Sequence, residues 1–517
     1  EAFVKEIKKN GLQNEIDIRR TGCHGFCERG PLVVIFPQET CYLRVKPEDV
    51  PEIVSTTFIE KKLVERLLYE DESGQRIALE GDIPFYKHQS RIVFGNNRLV
   101  DPKKIDDYIA LGGYNALAKV LFEMTPEEVL DEVKRANLRG RGGGGFPTGT
   151  KWETCRNAPG EPKYVIVNAD EGDPGVYQDR SVLEGNPHSV LEGLTIGAYT
   201  IGAHQGFIYV RQEYPLAVEN LAVALEQARE YGFLGEIILG SGFAFDVKVH
   251  RGAGAFVSGE SSALMTAIEG SVGEPRPKYI HTAVSGIWEK PSNLNNVKTW
   301  ATVPLIINKG AEWFTSIGTE GSKGTMIFSL VGKVNNTGLV EVPMGMTLRE
   351  VIFDIGGGIL GGKRFKGVQT GGPSGGIVPE KFLDLPIDFD ELTKVGSMMG
   401  SGGMIVMDED TCMVDLRQPY NNFLTGESCG KCLPCREGVF QMLKILNRIC
   451  EGKGREGDIE LLEEIAEVVK DASLCALGRT AANPALSTIK YFRDEYEAHI
   501  KEKRCPALTC KELISYY

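Results

Sequence analysis

Three cysteines at a repeated spacing, Cys429, Cys432 and Cys435 in Glu427-Ser428-Cys429-Gly430-Lys431-Cys432-Leu433-Pro434-Cys435-Arg436, constrain this chain more than any other feature. A fourth cysteine stands alone downstream in Ser473-Leu474-Cys475. Three thiolates on one tight loop plus one remote thiolate is a cubane arrangement, whereas structural zinc more often takes two separate pairs. A [4Fe–4S] cluster on Cys429, Cys432, Cys435 and Cys475 is therefore expected. Eight of the twelve cysteines lie from Cys412 onward. Dispersed disulfide staples would not crowd in this way in a chain able to build a large core, so metal ligation in a reducing cytoplasm is the better reading.

A chain of 517 residues is long enough for roughly three or four domains. No window approaches the ~18 unbroken apolar residues of a membrane span. A net charge of -13 argues against a duplex nucleic-acid partner, which requires clustered Lys and Arg. The start at Glu1 has neither an initiator Met nor a secretory pattern, and suggests a chain that begins inside a longer protein.

Hydrophobic periodicity divides the chain. Residues 1–58 read as a small α/β unit with strands at Ile16–Arg20, Leu32–Phe36 and Tyr42–Val45 and a helix opening at Pro47. Residues 59–100 read as a connecting arm, 101–312 as an α/β domain, 313–406 as a compact β-grasp pattern and 407–500 as a helical bundle, followed by a terminal segment over 501–517.

The run Leu138-Arg139-Gly140-Arg141-Gly142-Gly143-Gly144-Gly145-Phe146-Pro147-Thr148-Gly149-Thr150-Lys151 contains G-x-G-x-x-G, but a helix-like stretch precedes it where the dinucleotide fingerprint requires a strand. A nucleoside-triphosphatase P-loop fails as well, because Thr150 separates Gly149 from Lys151. What remains is a cradle of main-chain amides with an Arg and a Lys nearby, or a flexible surface loop. Two further turns favour the cradle. Asn168-Ala169-Asp170-Glu171-Gly172-Asp173-Pro174-Gly175 follows the strand Tyr164 to Val167, at the strand end where α/β sheets place ligands, and Gly259-Glu260 follows another apolar run. Asn295-Asn296 lies in a turn after Pro291.

Together these motifs resemble the family of flavin-bearing, nucleotide-oxidising subunits shared by respiratory complex I and by soluble multi-subunit hydrogenases and formate dehydrogenases. The resemblance implies a multidomain α/β fold: a thioredoxin-like N-terminal unit, an FMN-binding α/β domain, a β-grasp (SLBB-like) domain and a C-terminal helical bundle carrying [4Fe–4S]. It implies FMN and NAD(P)(H) as cofactors, with Gly140, Arg141, Gly142, Lys151, Asn168, Asp170, Glu171, Gly259, Glu260, Asn295 and Asn296 around the flavin and Phe146 stacking on the nucleotide. Hydride transfer needs no general base, so no catalytic side chain is expected; the protein holds the nicotinamide against the flavin.

Three positions depart from the commonest family pattern. Ser261 stands where a second Glu is usual, His281 where an aromatic stacks on adenine, and Lys298 where a Glu is usual. Losing a carboxylate and gaining a cation near the ribose favours a 2′-phosphate, hence NADP(H), unless these are neutral changes at exposed positions.

Cys23-His24-Gly25-Phe26-Cys27 resembles the second half of a thioredoxin-like [2Fe–2S] site, whose other two ligands would precede residue 1; otherwise the unit carries no cluster. Cys450, His499, Cys505 and Cys510 have zinc-like spacing and suggest a structural Cys3His site, or unligated thiols, or ligands of a ferredoxin-like segment beyond the chain. Cys155 and Cys412 read as lone structural thiols.

The resemblance thus implies a cytoplasmic electron-transfer oxidoreductase subunit partnered by hydrogenase or formate dehydrogenase subunits, a small thioredoxin-like [2Fe–2S] subunit and ferredoxin, with flavin-based electron bifurcation an extension of it. A complex I diaphorase subunit, or a scaffold that has lost nucleotide turnover, are the alternatives.

Overall fold

A four-stranded parallel sheet carries the central domain, in the spatial order Asp246–Gly252, Gln205–Arg211, Tyr164–Ala169, Ser292–Asn296. The computed structural model describes every residue except 72, 278, 280 and 514–517, so the last four positions of the expected 501–517 segment lie outside the described residues. The first strand in sequence has the second on one side and the fourth on the other. Strand order therefore reverses beside Tyr164–Ala169, which opens a crevice outside the carboxyl ends of that strand and of Ser292–Asn296.

Both faces of this sheet are covered, so its strands are apolar throughout: Val165, Ile166 and Val167 are fully buried. Helix Pro187–Ile201 is buried along nearly its whole length and packs against helix Val297–Lys309. Small residues make that approach possible: a Cβ on Gly193 would lie 2.0 Å from the Trp300 carbonyl oxygen, and one on Gly197 would lie 2.3 Å from the Trp300 ring. Helix Pro126–Arg135 starts where its sequence requires. The Thr125 hydroxyl accepts from the Glu128 N–H, the Glu128 carboxylate returns to the Thr125 N–H, and Pro126 occupies the first turn.

Residues 325–408 form a five-stranded mixed sheet in the order Gly338–Pro343, Thr325–Gly332, Gly403–Asp408, Phe365–Thr370, Ile377–Pro379, with only the Gly403–Asp408 and Thr325–Gly332 pair parallel. Beyond it stand the helices Val439–Cys450, Asp458–Ala472 and Asn483–Glu497, sharing a core of Met442, Leu446, Leu462 and Ile489.

The N-terminal unit departs from expectation at one element. Ile16–Arg20 is not a strand; the unit's sheet is the hairpin Val33–Ile35 with Thr40–Tyr42. A strand needs a partner edge, and here the chain lies along the arm instead. Arg19 donates to the Leu99 carbonyl at 2.9 Å and the Gly22 N–H to that of Asn97 at 3.0 Å. The arm is anchored by the buried Glu341, whose carboxylate accepts the N–H groups of Val93 and Phe94. No helix among the described residues is long and apolar enough to cross a membrane.

Candidate functional site

The glycine loop closes on itself before it meets the crevice. The Gly140 N–H donates to the Phe146 carbonyl at 2.9 Å, and the Arg139 Nε–H to that of Gly145 at 2.8 Å. Gly143 and Gly145 have φ of +119° and +60°, a region that favours glycine. A Cβ on Gly142 would lie 2.9 Å from the Asn296 Cβ, so the loop lies directly on the turn after Ser292–Asn296. Phe146 is 53% exposed and free to act as a stacking surface.

The side chain of Arg141 does not face this crevice. Its guanidinium donates to the carbonyls of Thr325, Arg139 and Lys323, and its own N–H donates to the Thr299 hydroxyl, so it ties the loop to the mixed sheet. The expectation of an arginine charge in the anion cradle is corrected on this point: carbonyl oxygens of the loop itself and of the distant mixed sheet outcompete it. Lys151 does remain at the site. Its Nζ reaches the Leu294 carbonyl at 2.8 Å and Asn295 Oδ1 at 3.1 Å, and burial lowers it to about 8.

Asn168 joins two turns, donating to the Gly259 carbonyl at 2.9 Å and accepting the Asp170 N–H at 3.0 Å. Burial pushes Asp170 up to about 7, with Arg211 3.4 Å away partly opposing it. Glu171 accepts the Asp179 and Arg180 N–H groups and thereby caps helix Gln178–Gly185; burial, then Asp179, raises its carboxyl. The Glu260 carboxylate caps helix Ser261–Ile268, taking the Ser262 and Ala263 N–H groups.

Ser261 and His281 line a cavity of about 440 Å³ together with Ser262, Arg276, Tyr279 and Trp288. Lys298 does not. It is 2% exposed, with Nζ 3.2 Å from Asp179 Oδ1, 2.7 Å from the Ser401 carbonyl and 3.3 Å from Gln178 Oε1. Its expected role beside the ribose is corrected: the ammonium balances the buried Asp179 rather than facing a nucleotide.

The residues around the crevice fit FMN. Thr148 Oγ1, both amide atoms of Asn293 and Asn295 Nδ2 are buried without a protein partner, and Lys151 lies beside Asn295. Helix Thr148–Asn157 packs on the strand that bears the two asparagines. Unpaired polar groups so placed match a ligand rich in hydroxyl and phosphate oxygens.

Cys429, Cys432, Cys435 and Cys475 line one small cavity, with Val257, Pro275 and Lys431 also in its wall. Cys475 caps the short helix Ala476–Thr480, and Gly478 allows the approach: a Cβ there would lie 3.1 Å from the Cys435 Cβ and 2.5 Å from Ser473. Burial raises the Cys475 thiol, and the Glu260 carboxylate is among the charges near enough to add to this. Four convergent thiols fit a cubane cluster.

At Cys23 and Cys27 the fit to a [2Fe–2S] cluster is incomplete. Cys27 Sγ lies 3.3 Å from the Tyr177 hydroxyl, Cys41 is buried elsewhere beside Glu80, and among the described residues no third ligand joins the pair.

The terminal Cys3His set is also rearranged. Cys412, His499, Cys505 and Cys510 converge, their ligand atoms all within 4.8 Å of one another and all four residues buried. Cys412 thus occupies the place expected for Cys450, which instead groups with Asp415 and Cys510. Cys412 follows the strand Gly403–Asp408, whose packing on the bundle brings it to His499, 87 residues further along the chain, at 3.4 Å. Local spacing held no sign of this. His499 Nδ1 meets the Glu495 carbonyl at 2.7 Å, leaving Nε2 toward the sulfurs.

Residues 133–305 match the Nuo51 FMN-binding domain, 327–378 the SLBB domain, and 415–499 the NADH-ubiquinone oxidoreductase-F iron-sulfur binding region. Fold and sites thus define a flavin- and iron–sulfur-binding oxidoreductase subunit. The chain is 55% identical over 430 residues to the NADP-reducing hydrogenase subunit HndC of Solidesulfovibrio fructosivorans, covering 83% of this chain and 87% of that protein. It is 46% identical over 415 residues to the second F-type subunit of the NADH-quinone oxidoreductase of Rhizobium meliloti (strain 1021), covering 80% of this chain and 99% of that one. In structure it is similar to an NAD+-reducing [NiFe]-hydrogenase in the H2-reduced state, with a TM-score of 0.71 and 27% identity over 97% of this chain and 81% of the other. The chain belongs to the family of these FMN-binding, NADH-quinone oxidoreductase F-type subunits.

Proposed function

We propose that this chain is the nucleotide-handling subunit of a hydrogenase complex, moving electrons between NAD(P)H, FMN and a [4Fe–4S] cluster. The observation that carries this reading is the shared wall of the two sites. The turn Phe256–Glu260 meets the crevice through Gly259, which holds Asn168, and meets the thiol cavity through Val257. Bound FMN would supply the exchange between two-electron hydride and single electrons. The protein's part is positional. Lys151, Asn293, Asn295 and Thr148 would hold the polar tail, Phe146 would offer a stacking face, and Glu260 would keep its helix start rigid beside the crevice.

The similarity to HndC supports a hydrogenase partner. Ser261 in the cavity wall supports acceptance of NADP(H), while Lys298 no longer argues for it. Formate dehydrogenase as the partner enzyme, a cytoplasmic location, ferredoxin as a second acceptor with electron bifurcation, and a small thioredoxin-like [2Fe–2S] subunit as a neighbour belong to the same reading. The tetrad Cys412, His499, Cys505 and Cys510 would hold a structural zinc that pins the terminal segment to the bundle. The similarity to the Rhizobium protein favours a complex I diaphorase as the second reading.

Purification of the native assembly under anaerobic conditions tests this directly. FMN, iron sufficient for a cubane cluster and NAD(P)H-dependent viologen reduction are expected, with hydrogenase subunits co-purifying. Absence of flavin, or zinc in place of iron at Cys429, Cys432, Cys435 and Cys475, overturns the reading. Quinone-linked turnover without hydrogenase subunits favours the second one.

A further inference from the structure

Lys431 stands between two of the cavity's thiols, Cys429 and Cys432, yet its ammonium is held from across the cavity wall. Nζ lies 3.0 Å from the Pro275 carbonyl oxygen and 3.1 Å from Glu274 Oε2. Pro275 itself lines the thiol cavity, and the next residue, Arg276, lines the large cavity that also contains Ser261 and His281. The short run 274–276 therefore touches both sites.

This run is fastened to the crevice. The Glu260 carboxylate accepts the Ser262 N–H at 2.9 Å as well as the Ser262 hydroxyl, and that hydroxyl oxygen accepts the Arg276 N–H at 2.9 Å. The Arg276 guanidinium donates to the Gly286 carbonyl at 2.8 Å and pairs with Glu269, which also accepts the Trp288 N–H at 2.6 Å. Polar contacts thus run without a break from Glu260, through Ser262 and Arg276, to Pro275 and Lys431. A cation beside an iron–sulfur cluster stabilises its electron-rich form, and a carboxylate paired with that cation offsets the effect. The distance of Lys431 from the sulfurs is set by residues 274–276.

We propose that Lys431 is a positioning residue that carries nucleotide occupancy to the cluster: a dinucleotide seated against Arg276 and His281 shifts residues 274–276, and with them the ammonium, so that the cluster's reduction potential depends on whether the nucleotide is bound. This rests on the reading of the two sites given above and deepens it. Binding and electron exit are thereby coupled through one lysine, without any covalent step.

The test is an EPR-monitored redox titration of the intact, cofactor-loaded protein with and without ADP-ribose or its 2′-phosphate, which fill the nucleotide cavity but carry no nicotinamide. In the unaltered protein the ligand is expected to move the electron-sharing equilibrium of the cluster about tenfold, about 59 mV for one electron. Lys431→Gln should lower the ligand-free potential and abolish the ligand-dependent shift, and Lys431→Arg should restore the shift. A shift that persists in Lys431→Gln overturns the inference, as does calorimetric binding of the ligand with no shift in the unaltered protein. A protein with no flavin or no cluster signal overturns the functional reading instead. Should Lys431→Gln fail to retain iron, Glu274→Gln leaves the thiol loop intact: a raised ligand-free potential is expected, and an unchanged potential with an unchanged shift overturns the inference.

Discussion

The Glu427 carboxylate accepts the main-chain N–H of Phe256 at 2.8 Å, and this single bond joins the start of the thiol loop to the turn that walls the crevice. The Phe256 ring packs edge-on against Phe423, one turn before Glu427, at 5.2 Å between centroids. Two sites far apart in sequence are held in register by this contact and by Lys431.

Glu427→Gln weakens a charge-assisted hydrogen bond and should cost about 1.5–3 kcal/mol at this junction. The expected result is unchanged FMN content with slower reduction of the cluster by nucleotide, followed by rapid-mixing absorbance. An unchanged rate would mean the junction does not depend on this bond.

Lys298 and Ser261 should separate stability from nucleotide preference. Lys298→Met leaves Asp179 buried and unpaired, a loss of about 3–5 kcal/mol visible in thermal denaturation, with the NADPH to NADH ratio of kcat/KM unchanged. Ser261→Glu adds a carboxylate to the cavity wall. It should lower that ratio roughly tenfold, as expected for about 1–2 kcal/mol of partly screened repulsion against a 2′-phosphate.

Metal analysis distinguishes the two candidate ligands at the chain end. Cys412→Ser should lose the bound zinc and the stability that zinc confers, whereas Cys450→Ser should keep the metal. The reverse outcome would place the ion in the group formed by Asp415, Cys450 and Cys510.

Binding of FMN should depend on pH through Lys151. Its buried ammonium is held near 8, below the ordinary lysine value, so before FMN binds it is charged below pH 8 and neutral above. A bound phosphate favours the charged form and raises that value, so binding above pH 8 takes up a proton. Affinity is therefore full below pH 8 and weakens by up to about tenfold per pH unit above it, until the value of the bound state is reached. Fluorescence titration of the flavin-free protein across this range measures the effect, and Lys151→Met should remove the slope.

Features that depend on neighbours in sequence were legible from the residues alone. The Cys429, Cys432 and Cys435 loop, the glycine run that must approach a ligand closely, the helix-like stretch from Pro126, and the acids after strand Tyr164–Ala169 all follow from local spacing. Features that depend on which distant surface a side chain meets were not. Arg141 turned away from the crevice because three carbonyl oxygens lay on the far side; Lys298 was buried because Asp179 needed a cation; Cys412 joined His499 because a strand packed on a bundle. A side chain's composition and position limit what it can do, but the direction it takes is chosen by the partner that best repays its desolvation, and that partner is supplied only when the domains close on one another.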